Sequence, residues 1–280
     1  MRVLIVGAKG QLGQEVVQFM RTQGTHEIVA LDKQKLDITL YPDVMNTVST
    51  IKPDVIINCA AYTAVDQAEL HPETARAINT DASRNVAMAA KAVGSKLCFV
   101  STDYVFDGVA LTPYKETDQT NPINVYGMTK LAGEQEVKSI LNDYFIVRTS
   151  WLYGEYGTNF VKSMLKLASE RDSIKVVNDQ VGSPTYAKDL ALFISNLIRT
   201  EKYGIYHTSN TGQCTWYEFA KKIFEIKGIK HLEVIPCTTD EYPQLAKRPK
   251  FSVMENAAMK INGFSQMRHW EEALEDSWIN

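Results

Sequence analysis

Residues Val3-Leu4-Ile5-Val6 form an unbroken apolar run that ends at Gly7-Ala8-Lys9-Gly10-Gln11-Leu12-Gly13, after which apolar residues recur at helical spacing to about Arg21. An apolar run without polar alternation fits a parallel strand covered on both faces. Glycines at a strand-to-helix turn let backbone approach a pyrophosphate, and the unpaired N–H groups of the helix's first turn then meet its charge. Gly7, Gly10 and Gly13 are therefore candidate dinucleotide contacts, in GxxGxxG spacing rather than the commoner GxGxxG. The next run, Glu27–Leu31, ends in Asp32, nineteen residues beyond Gly13. A carboxylate there receives the adenine-ribose hydroxyls of NAD, whereas the adjacent Lys33 suits a 2′-phosphate, so NADH and NADPH both fit.

The same rhythm continues. A helix near Tyr41–Ile51 precedes a strand at Val55–Asn58, which runs into the small residues Cys59-Ala60-Ala61-Tyr62-Thr63. A helix from about Pro72 to Val93, a strand at Leu97–Ser101, a loop with Pro113 and Pro122, a helix bearing Tyr126 and a strand at Tyr144–Arg148 follow. Repeated strand–helix units predict right-handed crossovers and a parallel sheet. The fold class is α/β: a Rossmann-like doubly wound parallel sheet over residues 1–150, with a smaller substrate-binding lobe over 151–280. In that lobe the pattern predicts helices at Phe160–Glu170, Thr185–Arg199 and Trp216–Ile226, and short strands at Ile174–Val177, Gly204–His207 and Glu233–Ile235. The helix near 185–199 is expected to pack back on the sheet.

The chemistry points to Tyr126-Gly127-Met128-Thr129-Lys130. A Tyr and a Lys four apart share a helix face one turn from each other. A free phenol titrates near 10, and an ammonium one turn away is expected to stabilise its phenolate. Thr102, at the end of a neighbouring strand, would complete a hydrogen-bonding site for a carbonyl oxygen. Ligands in open α/β sheets bind at the carboxyl ends of the strands, where the glycine turn, Ala61–Thr63, Thr102 and Tyr126 converge.

With 30 basic and 33 acidic residues the formal charge is −3, which gives no electrostatic case for nucleic acid or an anionic membrane. No apolar run approaches a membrane span, and the N-terminus reads as a strand rather than a signal peptide. Cys59, Cys98, Cys214 and Cys237 show no metal or CxxC spacing, and the five histidines are scattered, so no metal site is assigned. A reduced, cytoplasmic protein is expected.

The glycine turn, Ser101-Thr102-Asp103-Tyr104-Val105-Phe106, Tyr126–Lys130 and Arg148-Thr149-Ser150-Trp151 together resemble the extended short-chain dehydrogenases/reductases that act on nucleotide sugars, within them those that reduce dTDP-linked 4-keto-6-deoxy sugars. Ala60–Asp66, Asn178-Asp179-Gln180 and Gly182-Ser183-Pro184-Thr185 add to the resemblance, which spans nearly the whole chain and is weakest after about Lys230. It implies hydride transfer from NADPH or NADH to C4 of a dTDP-sugar. Tyr126 would protonate the alkoxide, Lys130 would hold the nicotinamide ribose and lower the tyrosine's pKa, and Thr102 would bond the carbonyl. Gly10, Gln11 and Leu12 would meet the pyrophosphate, Asp37 and Ile38 the adenine side, and Ala61, Tyr62 and Thr63 the nicotinamide half. Asp103, Tyr104 and Trp151 would contact the sugar nucleotide, although an indole after a strand also reads as packed core. Arg248, in Lys247-Arg248-Pro249-Lys250, reads either as a diphosphate clamp or as part of a solvated basic run.

Dehydratases of this superfamily carry Glu after the Thr-Asp pair, where this chain has Tyr104, which argues against dehydration. Some relatives hold Mg²⁺ through acids, one matching Glu15, but Lys188 stands where another acid is expected, which argues against that site here. Homodimers are frequent among relatives, while no stretch of this chain reads as an interface. An epimerase of the same fold and a non-catalytic NADP(H)-binding regulatory subunit are the competing readings; intact Thr102, Tyr126 and Lys130 argue against the second.

Overall fold

The computed structural model describes residues 1–277, so the last three residues of the expected lobe lie outside the described residues. The apolar runs of the first half become strands β1 (Arg2–Val6), β2 (Glu27–Leu31), β3 (Val55–Asn58), β4 (Lys96–Thr102) and β5 (Tyr144–Thr149). Between them lie α1 (Gln11–Gln23), α2 (Tyr41–Ile51), α3 (Val65–Leu70), α4 (Pro72–Arg76), α5 (Ala82–Val93) and α6 (Val125–Ile140). The second half holds β6 (Leu152–Tyr153), α7 (Phe160–Glu170), β7 (Ser173–Val177), β8 (Val181–Gly182), β9 (Thr185–Tyr186), α8 (Ala187–Leu197) and β10 (Gly204–His207). It ends with β11 (Cys214–Thr215), α9 (Trp216–Ile226), β12 (Glu233–Cys237), α10 (Ala257–Ile261) and α11 (Trp270–Asp276).

Six strands pair in parallel in the order β10-β5-β4-β3-β1-β2. Successive side chains of a strand point to opposite faces, and the register places Ile5, Ile57, Cys98 and Phe145 side by side on one of them. These four residues are fully buried. That face packs against Leu12, Val16 and Met20 of α1 and Leu190, Ala191 and Ile194 of α8. The opposite face carries Leu4, Ile56, Leu97 and Ile146 and meets Val44 and Val48 of α2, Val86 and Ala90 of α5, and Val137 of α6. Each such side chain contributes about 1.5–3 kcal/mol on burial, which fixes which residues face which layer.

From β1 the chain goes to one side for β2 and to the other for β3, so the topological switch lies between β1 and β3. A crevice opens at the carboxyl ends of strands at such a point. A third core, built from Tyr153, Met164, Phe219, Ile223 and Trp270, fills the smaller lobe. Among the described residues no helix is long and apolar enough to cross a membrane.

Two expectations need correction. The strand Gly204–His207, assigned by sequence to the second lobe, is the sixth strand of the main sheet, parallel to β5. Four residues carry too little pattern to say which neighbour they pair with. The helix expected from Pro72 to Val93 is interrupted by a π-helical turn at Ala77–Asp81, and the separate α3 precedes it. An inserted residue of this kind leaves the apolar spacing nearly intact, and such turns recur at functional sites. Here the π turn presents Asn79, whose amide receives the Tyr62 N–H at 2.8 Å and donates to the Tyr62 carbonyl at 3.2 Å and to Thr129 at 3.1 Å. That ties the loop after β3 to the helix carrying Tyr126.

Candidate active site

At the first strand-to-helix turn Gly7 has φ +73°, and a Cβ there would lie 2.5 Å from the Ala60 nitrogen. Only glycine meets both conditions. Gly10 stands at the start of α1 without a side-chain cap, and the first turn of the helix carries no acid, so its unpaired N–H groups suit an anion. Gly13 serves packing instead: a Cβ on it would lie 2.2 Å from the Gly7 carbonyl oxygen. A pocket of about 270 Å³ beside this turn is lined by Gly7, Lys9, Gly10, Asp32, Lys33, Asp37, Ile38, Ala61 and Ile78, among others. The turn and pocket fit a dinucleotide by an observation of their own: a backbone cradle that any side chain would fill.

Asp32 is buried at the end of β2 and already engaged. One carboxylate oxygen accepts the backbone N–H groups of Gln34 and Lys35, each at 3.1 Å, and the other lies 2.5 Å from the Lys9 ammonium. Lys9 above all holds this carboxyl below its usual range. Asp37 takes the Thr39 hydroxyl at 2.7 Å and backbone N–H at 3.0 Å, which lower its pKa.

A second cleft, about 610 Å³, adjoins the first across Gly10, Cys59 and Ala61. Gln11, Leu12, Thr63, Thr102, Asp103, Tyr104, Tyr126, Lys130 and Trp151 line it. Thr102 ends β4, and its hydroxyl donates to Asp103 at 3.0 Å and accepts from the Tyr104 N–H at 3.2 Å. Helix α6 begins at Asn124, whose side chain accepts the Gly127 N–H at 2.8 Å and donates to the Lys247 carbonyl at 2.8 Å. At Gly127 a Cβ would lie 2.1 Å from the Tyr104 carbonyl oxygen, so the glycine beside Tyr126 lets the helix approach the loop carrying Thr102. The Tyr104 and Tyr126 rings meet edge-on at 5.6 Å.

The electrostatics differ from the sequence expectation. Burial pushes the Tyr126 phenol up to about 12, against the Thr102 hydroxyl, which lowers it, and with the Asp103 charge, which raises it further. Lys130 is buried, donates to the Val100 carbonyl at 2.6 Å and lies 4.2 Å from the centre of the Phe99 ring. Desolvation lowers it to about 8, opposed by the nearby Glu134 carboxylate. The ammonium is thus committed to strand β4, and burial decides the phenol's state: Tyr126 holds its proton at neutrality. Asp103 is fully enclosed, and burial raises it to about 6 against the Ser252 and Thr102 hydroxyls, which lower it.

Tyr62 and Arg248 line neither cleft. The Tyr62 backbone is held by Asn79. The Arg248 guanidinium forms a two-pronged pair with Asp66 at 3.0 and 2.7 Å, bonds the Ala246 carbonyl, and reaches the Tyr104 hydroxyl. The pairing with Asp66 shows that Arg248 is not part of a solvated run; a partly buried cation finds its carboxylate. Trp151 has φ +47° and stacks on Trp216 with ring centres 3.5 Å apart and planes 8° from parallel. Both indoles line the cleft, so platform and packing are one arrangement.

Sequence reading missed Trp216, Ser150 and Thr158 in the cleft wall and Lys9 over Asp32. Trp216 opens an amphipathic helix and reads locally as core; only the fold opposes it to Trp151. The Glu15 carboxylate accepts the Glu155 N–H at 3.2 Å and is faced by the Lys188 and Lys162 ammonium groups, while burial raises its pKa. Among the described residues no group of three or more His, Cys, Asp or Glu is placed to hold a metal ion.

Comparison with known proteins follows the same lines. The family model described as RmlD substrate binding domain matches residues 1–279. The crystal structure of dTDP-4-dehydrorhamnose reductase from Bacillus anthracis str. Ames in complex with NADP superposes with a TM-score of 0.97 at 51% identity, covering 99% of this chain and 98% of that one. The dTDP-4-dehydrorhamnose reductase of Aggregatibacter actinomycetemcomitans is 43% identical over 98% of this chain and 97% of its own length. The spore coat polysaccharide biosynthesis protein SpsK of Bacillus subtilis (strain 168) is 40% identical over 98% and 96%. Matched from end to end in sequence and in backbone, the chain belongs to the RmlD substrate binding domain family.

Proposed function

We propose that this protein reduces the C4 ketone of dTDP-4-dehydro-L-rhamnose with NADPH or NADH, giving dTDP-L-rhamnose for cell-surface polysaccharide. The observation that carries the reading is the meeting of Thr102, Tyr126 and Lys130 in one cleft that runs on into the glycine-turn pocket. The bound nicotinamide supplies the hydride. In this reading Thr102 orients the ketone oxygen, and Tyr126, protonated at neutral pH, gives its proton to that oxygen as charge develops on it. Lys130 keeps a positive charge under the reacting centre and, from the cleft wall, would hold the nicotinamide ribose. Asp103 and Tyr104 on one wall and the Trp151–Trp216 stack on the other enclose the sugar nucleotide, with the lobe from residue 151 onward supplying its half of the cleft. A cytoplasmic location agrees with four unpaired cysteines.

The test is NADPH oxidation with dTDP-4-dehydro-L-rhamnose in wild type and Tyr126→Phe. Loss of one positioned proton donor is worth 10²–10⁴-fold, so turnover falls by about that factor while NADPH binding persists. Equal turnover in the variant sinks the mechanism.

A further inference from the structure

Glu134 lies one turn beyond Lys130 on α6, is almost completely buried, and borders neither cleft. Both its oxygens are occupied. One accepts the Ser101 hydroxyl at 2.6 Å and the Arg148 Nε at 2.9 Å; the other accepts the Arg148 Nη2 at 2.7 Å. Ser101 immediately precedes Thr102, and Arg148 lies on β5, three residues before Trp151. Glu134 therefore joins the helix of Tyr126 and Lys130 to both strand ends that deliver the other cleft residues. A buried ion pair gains little stability over an apolar pair of similar volume, so stability alone does not account for it.

We propose that Glu134 is a positioning residue for Lys130, holding the buried ammonium charged beneath the cleft and locking α6 in register with the ends of β4 and β5. The groups facing Lys130 are few. On α6 there is Glu134; beyond β3 there is Cys59; on β4 there are the Phe99 ring and the Val100 carbonyl. Cys59 is driven up to about 12 by burial, so it is a neutral thiol. Behind Glu134, Arg148 lies 3.3 Å from His207 Nε2, and His207 Nδ1 lies 2.9 Å from the Tyr114 carbonyl. That ring is neutral, with its proton on Nδ1 given to the carbonyl and Nε2 accepting from Arg148; burial holds it down at about 3. Among the described residues Glu134 is thus the one carboxylate acting on Lys130, and removing its charge makes the ammonium easier to deprotonate.

The activity arm of the test rests on the proposed reduction; the titration arm does not. Lysine labelled with ¹³C next to the amine reports the Lys130 titration by NMR, with Lys130→Met assigning the signal. In Glu134→Gln, which keeps the shape, the Lys130 titration falls by about one unit, and kcat/KM above pH 7 falls by about tenfold with the sugar-nucleotide KM little changed. The paired variant Glu134→Met with Arg148→Met restores folding if the single variant is unstable, and the titration still moves down, by less. An unmoved Lys130 titration in Glu134→Gln, or full recovery of the wild-type titration and pH profile in the paired variant, overturns the proposal. If wild type oxidises no NADPH with the dTDP-sugar, the proposed function falls while the titration still decides the role of Glu134.

Discussion

Lys130→Met separates what the buried ammonium does for the fold from what it does for the reaction. Desolvation lowers Lys130 from 10.5 to about 8, which corresponds to about 3 kcal/mol of preferential destabilisation of its charged form. Methionine of similar length removes that cost. It forfeits the bond to the Val100 carbonyl, worth about 1 kcal/mol, and the contact with the Phe99 ring, worth about 1 kcal/mol. Glu134 stays paired with Arg148, so no carboxylate is orphaned. The variant should therefore unfold in urea with a free energy equal to wild type or about 1 kcal/mol higher, while NADPH-dependent turnover falls by about 10²-fold or more. The pH dependence gives a second check. Between about pH 8 and 10 the unfolded chain keeps a proton on Lys130 that the folded chain has lost, so this group makes stability rise with pH. Lys130→Met abolishes that contribution. A loss of more than about 2 kcal/mol of stability would show that the ammonium is structural glue and refute the reasoning.

At the adenosine end, Lys9→Ala frees the Asp32 oxygen now 2.5 Å from the ammonium and removes a cation from the wall of the glycine-turn pocket, where it would favour a 2′-phosphate. The ratio of kcat/KM for NADH over NADPH should rise by about tenfold, about 1.4 kcal/mol; an unchanged ratio contradicts the assignment of that pocket. In the sugar lobe, Gly182→Ala would place a methyl 2.4 Å from the Trp151 ring. The indole must then leave its stack on Trp216, and the sugar-nucleotide KM should rise by about tenfold, about 1.4 kcal/mol, with NADPH affinity retained. An unchanged KM removes the stack from the substrate's path.

The sheet was legible because its strands are buried on both faces: Val3–Val6, Val55–Asn58 and Leu97–Val100 admit almost no polar residue. Gly7, Thr102, Tyr126 and Lys130 were legible because each stands at a fixed place in a strand–turn–helix unit. Residues that act across the fold were not. Asn79 reaches Tyr62 through a π turn that leaves helical spacing undisturbed, and Trp216 meets Trp151 only once the smaller lobe folds, since 65 residues separate them. Arg248 left two readings open, clamp or solvated run, because its partner Asp66 is distant in sequence; the fold pairs the guanidinium with it, which removes the solvated one. The direction of the Tyr126 pKa shift was not legible, for a similar reason. Helical spacing places an ammonium one turn away, but says nothing of the Val100 carbonyl that takes it or of the burial that dominates the phenol.

The most direct test follows a deuteride from [4,4-²H₂]NADPH into the sugar. The proposed reduction predicts one deuterium at C4 of the dTDP-sugar product for each NADPH oxidised, on a single C4 epimer, with labelled product forming about 10²–10⁴-fold more slowly when Tyr126→Phe replaces wild type. A mixture of C4 epimers with no net NADPH consumed and no retained label would contradict it and establish an epimerase in its place.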